Sequence, residues 1–195
     1  MPSRQPLLRI AHFVNSTREE IAESFIYSLC VANHAAFESG RLEQKIICLA
    51  DKFVEIEPDD KQISVFILPY SSVLLGTREW CTFDLTHVIR DCMLVHVHEP
   101  FTKAGETAFT MAKNCNLPCV ITCEESSESS LAWKWGMARC ADAIFCSSES
   151  RALELERSTD TPIIVVNAQK PNAFEWIAPV LVRTYAKLAL QLEHA

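Results

Sequence analysis

Short apolar runs alternate along this chain with longer stretches whose apolar positions recur every three or four residues. Leu7 to Val14 is the first run. Asn15, Ser16 and Thr17 follow as a turn, and Ile21, Ala22, Phe25, Ile26, Leu29 and Cys30 then make a helical stripe that ends near Ser39 and Gly40. Ser16 and Glu19 have capping-box spacing, so the free amides at that helix start go to Ser16 in preference to an anion. Lys45 to Ala50 predicts a second strand and Glu55 to Asp60 a solvated acidic loop. Ile63 to Tyr70 predicts a third strand, and Thr77 to Arg90 a helix with Trp80, Phe83, His87 and Val88 toward the core.

The same alternation continues to the end of the chain. Cys92 to His98 reads as a fourth strand and Ala104 to Asn114 as a helix with Ala108, Met111 and Ala112 inward. Cys119 to Cys123 is a fifth strand, and the Ser/Glu loop Glu124 to Ser130 follows it. Leu131 to Arg139 is a helix, Ala143 to Ser147 a sixth strand, Glu149 to Glu156 a helix and Pro162 to Asn167 a seventh strand. Strands alternating with helices imply βαβ units with right-handed crossovers. The predicted fold class is α/β, a single Rossmann-like, doubly wound parallel sheet of about seven strands. The last segment, Ala173 to Leu192, is amphipathic through Trp176, Ile177, Val180, Leu181, Tyr185 and Leu188. Pro179 sits inside it and predicts a kink or a break into two helices.

Composition narrows the function classes. The 195 residues are 49% hydrophobic, which suits one domain with a sizeable core. A formal charge of -7 with 18 scattered Lys and Arg argues against nucleic acid as a partner. No apolar run approaches the ~18 residues of a membrane span, and the N-terminus lacks a signal-peptide core, so a cytoplasmic protein without a transmembrane segment is expected. The nine cysteines include no Cys-x-x-Cys and lie mostly in apolar elements, as buried reduced thiols do. Glycine is scarce: ordinary usage would give about fourteen, and there are 4, none of them close together. A Walker A loop and a Gly-x-Gly-x-x-Gly fingerprint are therefore excluded, because each needs several positions free of Cβ beside phosphate.

The candidate chemistry centres on Cys92 to Phe101, an apolar run that ends His96-Val-His98-Glu99-Pro. A central strand delivers such polar groups to its carboxyl end, where open α/β sheets bind ligands. His96 and His98 share a strand face, and with Glu99 or Cys123 they could approach a metal. Zinc wants four ligands and local geometry places two, so no metal and no cofactor are expected. His98 beside Glu99 is the better candidate for ligand binding or acid/base work, against the alternative of a histidine satisfied by hydrogen bonds at a sheet edge. The absence of a Gly-x-Ser-x-Gly elbow leaves a hydrolase unsupported.

Three segments carry a family resemblance: Val95-His-Val-His-Glu-Pro-Phe101, Leu117-Pro-Cys-Val-Ile-Thr122 and Ala141-Asp-Ala-Ile-Phe-Cys-Ser-Ser-Glu149. Together they resemble the N-terminal, acceptor-side domain of GT-B fold glycosyltransferases, family 4-like, the retaining family that includes phosphatidylinositol mannosyltransferases and sucrose synthases. Phe174 to Tyr185 resembles the family's final helix, which crosses back from the second domain onto the first. The resemblance implies a Rossmann-like domain over 1–167 and a C-terminal helical segment over 168–195 that packs back on it. It further implies ligand-binding roles for Asn15, Ser16, Thr17, His96, His98, Glu99, Cys123, Glu124, Glu125, Ser147 and Glu149, and leaves a nucleotide-sugar donor without its own domain.

The chain departs from the family where catalysis resides. The family's E-x7-E pair is missing, since no two glutamates lie eight apart. Asn15, Ser16 and Thr17 replace the glycines after the first strand, and Cys123 or Glu124 stands where the family has a histidine. Stabilising a departing diphosphate calls for preorganised cations and amide dipoles, which the family takes largely from the missing domain. Glycosyl transfer by this chain alone is therefore not expected. Two functions follow: one half of a split glycosyltransferase that meets a sugar or glycan acceptor beside a donor-domain partner, or a non-catalytic binding and interaction module such as a homodimer. The alternative is a stand-alone small-ligand-binding Rossmann-like protein with a regulatory role.

Overall fold

The structure, a computed structural model, describes residues 7–14, 25–37, 41–50, 63–69, 85–123, 131–166 and 173–192. Seven strands form one sheet: β1 (Leu7–Val14), β2 (Arg41–Ala50), β3 (Ile63–Pro69), β4 (Leu94–Val97), β5 (Cys119–Cys123), β6 (Ala143–Cys146) and β7 (Ile163–Val165). Their order is β3-β2-β1-β4-β5-β6-β7, and every neighbouring pair is parallel. Chain order runs outward from β1 on one side and from β4 on the other. The topological switch point, where such sheets bind ligands, therefore lies between these two strands. The helices are α1 (Phe25–Ala36), α2 (Lys103–Asn114), α3 (Leu131–Cys140), α4 (Glu149–Glu156) and α5 (Ala173–Leu192), and residues 85–89 are also helical. This is the doubly wound α/β architecture that the strand and helix alternation predicts.

Parallel strands covered on both faces are apolar at nearly every position, and β4 and β6 are buried throughout, with His96 the polar exception. Alternate residues feed two cores. One face gathers Phe13, Val97, Ile121 and Cys123 with Ala108 and Ala112 of α2, Met137 of α3 and Leu155 of α4. The other gathers Ile10, Leu94, Val120 and Phe145 with Leu29 of α1 and Ile177, Leu181 and Tyr185 of α5. On this second face α1 and α5 pack against each other.

The boundaries of α2 set the edge beyond β4. Thr102 caps its start by accepting from the Gly105 amide at 3.0 Å. At Gly105 an added Cβ would lie 2.0 Å from the Glu99 carbonyl oxygen, so glycine lets the helix start against the turn that follows His98. At the other end Asn116 adopts φ 55. Its amide donates to Lys113 at 3.0 Å, and Leu117 donates to Ala112 at 2.9 Å, closing a Schellman motif with asparagine in the left-handed position.

Several elements differ from the sequence-based expectation. β2 begins at Arg41 rather than Lys45, because Leu7 to Val14 pairs along the longer strand and Arg9 meets Glu43 across the ladder at 2.7 Å. His87 is exposed rather than inward, since the helical phase at 85–89 buries Leu85 and Ile89 and turns 87 to the opposite side. α5 is one helix of 20 residues that runs through Pro179 without dividing in two. The carbonyl that loses its amide partner belongs to Glu175, on the exposed side of the helix. On the same side Trp176 is 75% exposed, outside the buried stripe of Ile177, Leu181, Tyr185 and Leu188. Six of the eight described cysteines are buried thiols, whereas Cys140 is exposed. Ser16, Trp80, Phe83 and the acidic loop 55–60 lie outside the described residues.

Candidate functional site

β1 and β4 run side by side with His12 opposite His96. The chain just past β4 stays on β1 because the His98 amide donates to the Phe13 carbonyl at 3.0 Å. Side chains alternate along strands, so positions 12, 96 and 98 fall on the face of Ile10 and Leu94, which α5 covers. Three imidazoles thus converge at the switch point. The His96 and His98 ring centroids are 3.9 Å apart, and those of His12 and His98 are 5.3 Å apart.

The hydrogen bonds of this cluster are internal. His12 Nδ1 and His98 Nε2 pair at 3.1 Å. His96 uses both nitrogens, Nδ1 with the Tyr185 hydroxyl of α5 at 2.6 Å and Nε2 with Thr122 Oγ1 of β5 at 2.8 Å. His12 Nε2 is buried and has no hydrogen-bond partner among the described residues. Gln44 on β2 is the polar side chain beside it, and that amide is committed elsewhere: it accepts from Asn33 at 3.2 Å and donates to the Cys30 carbonyl at 2.7 Å. One nitrogen from each histidine lies within 4.8 Å of the other two.

Burial decides the charge state. Desolvation lowers His12 to about 4, opposed by Gln44. His96 and His98 are lowered well below the ordinary histidine value by the same desolvation, with mutual repulsion among the three rings adding to it. Burial also raises Tyr185 well above the ordinary phenol value. The site at neutral pH is therefore three uncharged imidazoles and a neutral phenol. Such an assembly can relay or exchange protons along hydrogen bonds, or it can offer nitrogen lone pairs to a cation; it does not present fixed positive charge.

His96 and His98 share a face, as their spacing predicts, but both are buried, His98 with 7% exposure. Cys123 does not approach them. Strand parity puts it in the opposite core with Val97 and Ile121, and Thr122 takes the place facing the rings. Glu99 is exposed at the edge, and its carbonyl accepts from the Thr102 hydroxyl at 3.0 Å. Ser147 lies at the end of β6, where its amide donates to the Cys123 carbonyl at 3.4 Å, and Glu149 opens α4 on the surface behind its cap, Ser148. Asn15, Ser16, Thr17, Glu124 and Glu125 lie outside the described residues. A cavity of about 10 Å³, room for one water, lies on the other face between Phe13, Val97, Glu99, Thr102 and Gly105. His12, Thr122, Tyr185 and Gln44 escaped the sequence reading. A histidine in the otherwise apolar run Leu7 to Val14 was the available signal for the first of them.

No family model matches the sequence, and no curated protein matches it. Solved structures do. Sucrose-phosphate synthase (tll1590) from Thermosynechococcus elongatus superposes with a TM-score of 0.61 at 15% identity, over 92% of this chain and 98% of that one. A UDP-N-acetylglucosamine 2-epimerase gives 0.56 at 14% identity, over 83% of this chain and 48% of that chain. MnaA of S. aureus, in a co-structure with UDP, gives 0.51 at 16%, over 82% and 43%. This chain thus spans less than half the length of the last two. The likeness establishes a GT-B-like, Rossmann-type fold. Among the described residues no helix is long and apolar enough to cross a membrane.

Proposed function

We propose that this chain is a glycosyltransferase-like acceptor-side domain that lacks a donor-binding half and acts as a non-catalytic binding or interaction module. One observation carries the reading: the switch-point face between β1 and β4 is filled from within. Tyr185 of α5 closes on His96, and the imidazoles bond to one another, to Thr122 and to Tyr185. Uncharged, buried rings supply none of the positive charge that a departing diphosphate requires. The likeness to sucrose-phosphate synthase over 92% of this chain supports the fold on which the reading stands. Partners under this reading are a separately encoded donor-domain protein or a second copy of the chain.

Thermal denaturation with UDP-glucose, UDP-N-acetylglucosamine and GDP-mannose tests the reading, because a ligand that binds only the folded state raises Tm by mass action. No donor is expected to move the transition. A saturable rise with one of them would show a retained donor site and overturn this reading.

A further inference from the structure

We propose that His12, His96 and His98 form a binding site for one divalent late first-row transition-metal ion, with zinc the best match. Three strand-borne imidazoles meet on one sheet face, and one nitrogen of each lies within 4.8 Å of the others. Two ligands on a tetrahedral zinc ion at ~2.05 Å stand about 3.3 Å apart. His12 Nδ1 and His98 Nε2 are already at 3.1 Å. The His96 nitrogen lies within 4.8 Å of both and would have to draw closer to join the same sphere.

The donor chemistry selects the ion. The cluster contains no carboxylate, which disfavours magnesium and calcium, while imidazole suits zinc, copper, nickel and cobalt. Burial holds the three rings in the neutral form that ligates metal. The surroundings serve as supports for ligating rings. His96 gives up one of its two hydrogen bonds, and the other, to Thr122 or to Tyr185, fixes the ring. The fourth position falls to a water or to the Tyr185 hydroxyl. An ion here would tie β1 to β4 at the switch point, under α5, and so make the junction between the two halves of the sheet more rigid.

The sequence alone placed two histidines and counted against a metal; register supplies the third, since His12 is the cross-strand neighbour of His96. The inference does not depend on the glycosyltransferase-like reading, and the two fail separately. The test is titration of the full chain, stripped with EDTA and dialysed, with zinc chloride by calorimetry and with cobalt(II) by visible absorption. Expected are one ion per chain, a higher Tm, and intense tetrahedral cobalt bands without thiolate charge transfer. H12N and H98N should each weaken zinc binding at least about tenfold, and C140S, at the exposed thiol, should leave it unchanged. Absence of saturable one-to-one binding, a six-coordinate or thiolate cobalt spectrum, or affinity within about twofold in both histidine variants overturns the site. If neither variant folds, zinc X-ray absorption on the native chain decides: three imidazole nitrogens uphold the site, and any sulfur ligand sinks it.

Discussion

His12, His96 and His98 are bases that the folded chain keeps uncharged, and this makes stability depend on pH in a definite direction. In the unfolded chain all three titrate near 6.5. In the folded one His12 is lowered to about 4 and the other two well below their ordinary value, first by desolvation. Below about pH 6.5 the unfolded state therefore binds protons that the native state refuses, and the free energy of unfolding falls as pH drops. The fall amounts to about 1.4 kcal/mol per pH unit for each histidine at most. It ends for His12 near pH 4. Urea denaturation of metal-free protein at pH 7.5 and 5.5 checks this: the midpoint should be clearly lower at pH 5.5, and equal midpoints would refute the buried, neutral assignment. At this scale His96 and His98 were legible in the sequence, because the period of two along a strand is local. His12, Thr122 and Tyr185 were not. They come from β1, β5 and α5, and only strand register and helix docking bring them to one place.

Among the elements, the junction of β4 with α2 is the most tightly specified. Gly105 admits the Glu99 carbonyl where a Cβ would stand 2.0 Å from it, and both sides of that contact are backbone, so no side chain can yield. G105A should cost at least about 2–3 kcal/mol, as overpacking against rigid neighbours does, and chemical denaturation will measure it. A cost below about 0.5 kcal/mol would mean that the turn after His98 shifts freely. Most element positions followed from periodicity, and β5, α4 and α5 have the expected ends. Where the reading failed, polar residues or helical phase misled it. Arg41 and Glu43 hide the start of β2, although Glu43 pairs with Arg9 across the ladder. His87 and Trp176 look like core members by type, yet the rows set by Leu85 and Ile89 and by Ile177 and Leu181 leave them outside. Residue type suggests burial, but the phase of the neighbouring apolar positions determines it.

For the whole molecule, α5 is the structural roof of one sheet face rather than an appendage. It covers Leu8, Ile10, Leu94, Val120 and Phe145 through Ile177, Leu181, Tyr185 and Leu188. A chain ended after residue 167 would bare that surface, and exposing apolar area costs about 25 cal/mol per Å². The truncated chain should melt without a cooperative transition and bind a hydrophobic dye, whereas an unchanged Tm would show that 168–195 is dispensable. The alternation of strand and helix patterns along the sequence determined the fold class and the central place of β4, because local periodicity and the handedness of βαβ crossovers leave few ways to build such a sheet. The same pattern carried the histidine pair to the carboxyl edge. Which strand lies beside β4, which residue of it faces His96, and that a tyrosine 89 positions away closes the cluster were decided by tertiary structure alone. Contacts between distant segments depend on register and on the side of the sheet that a helix covers, and neither is written in any local stretch of sequence.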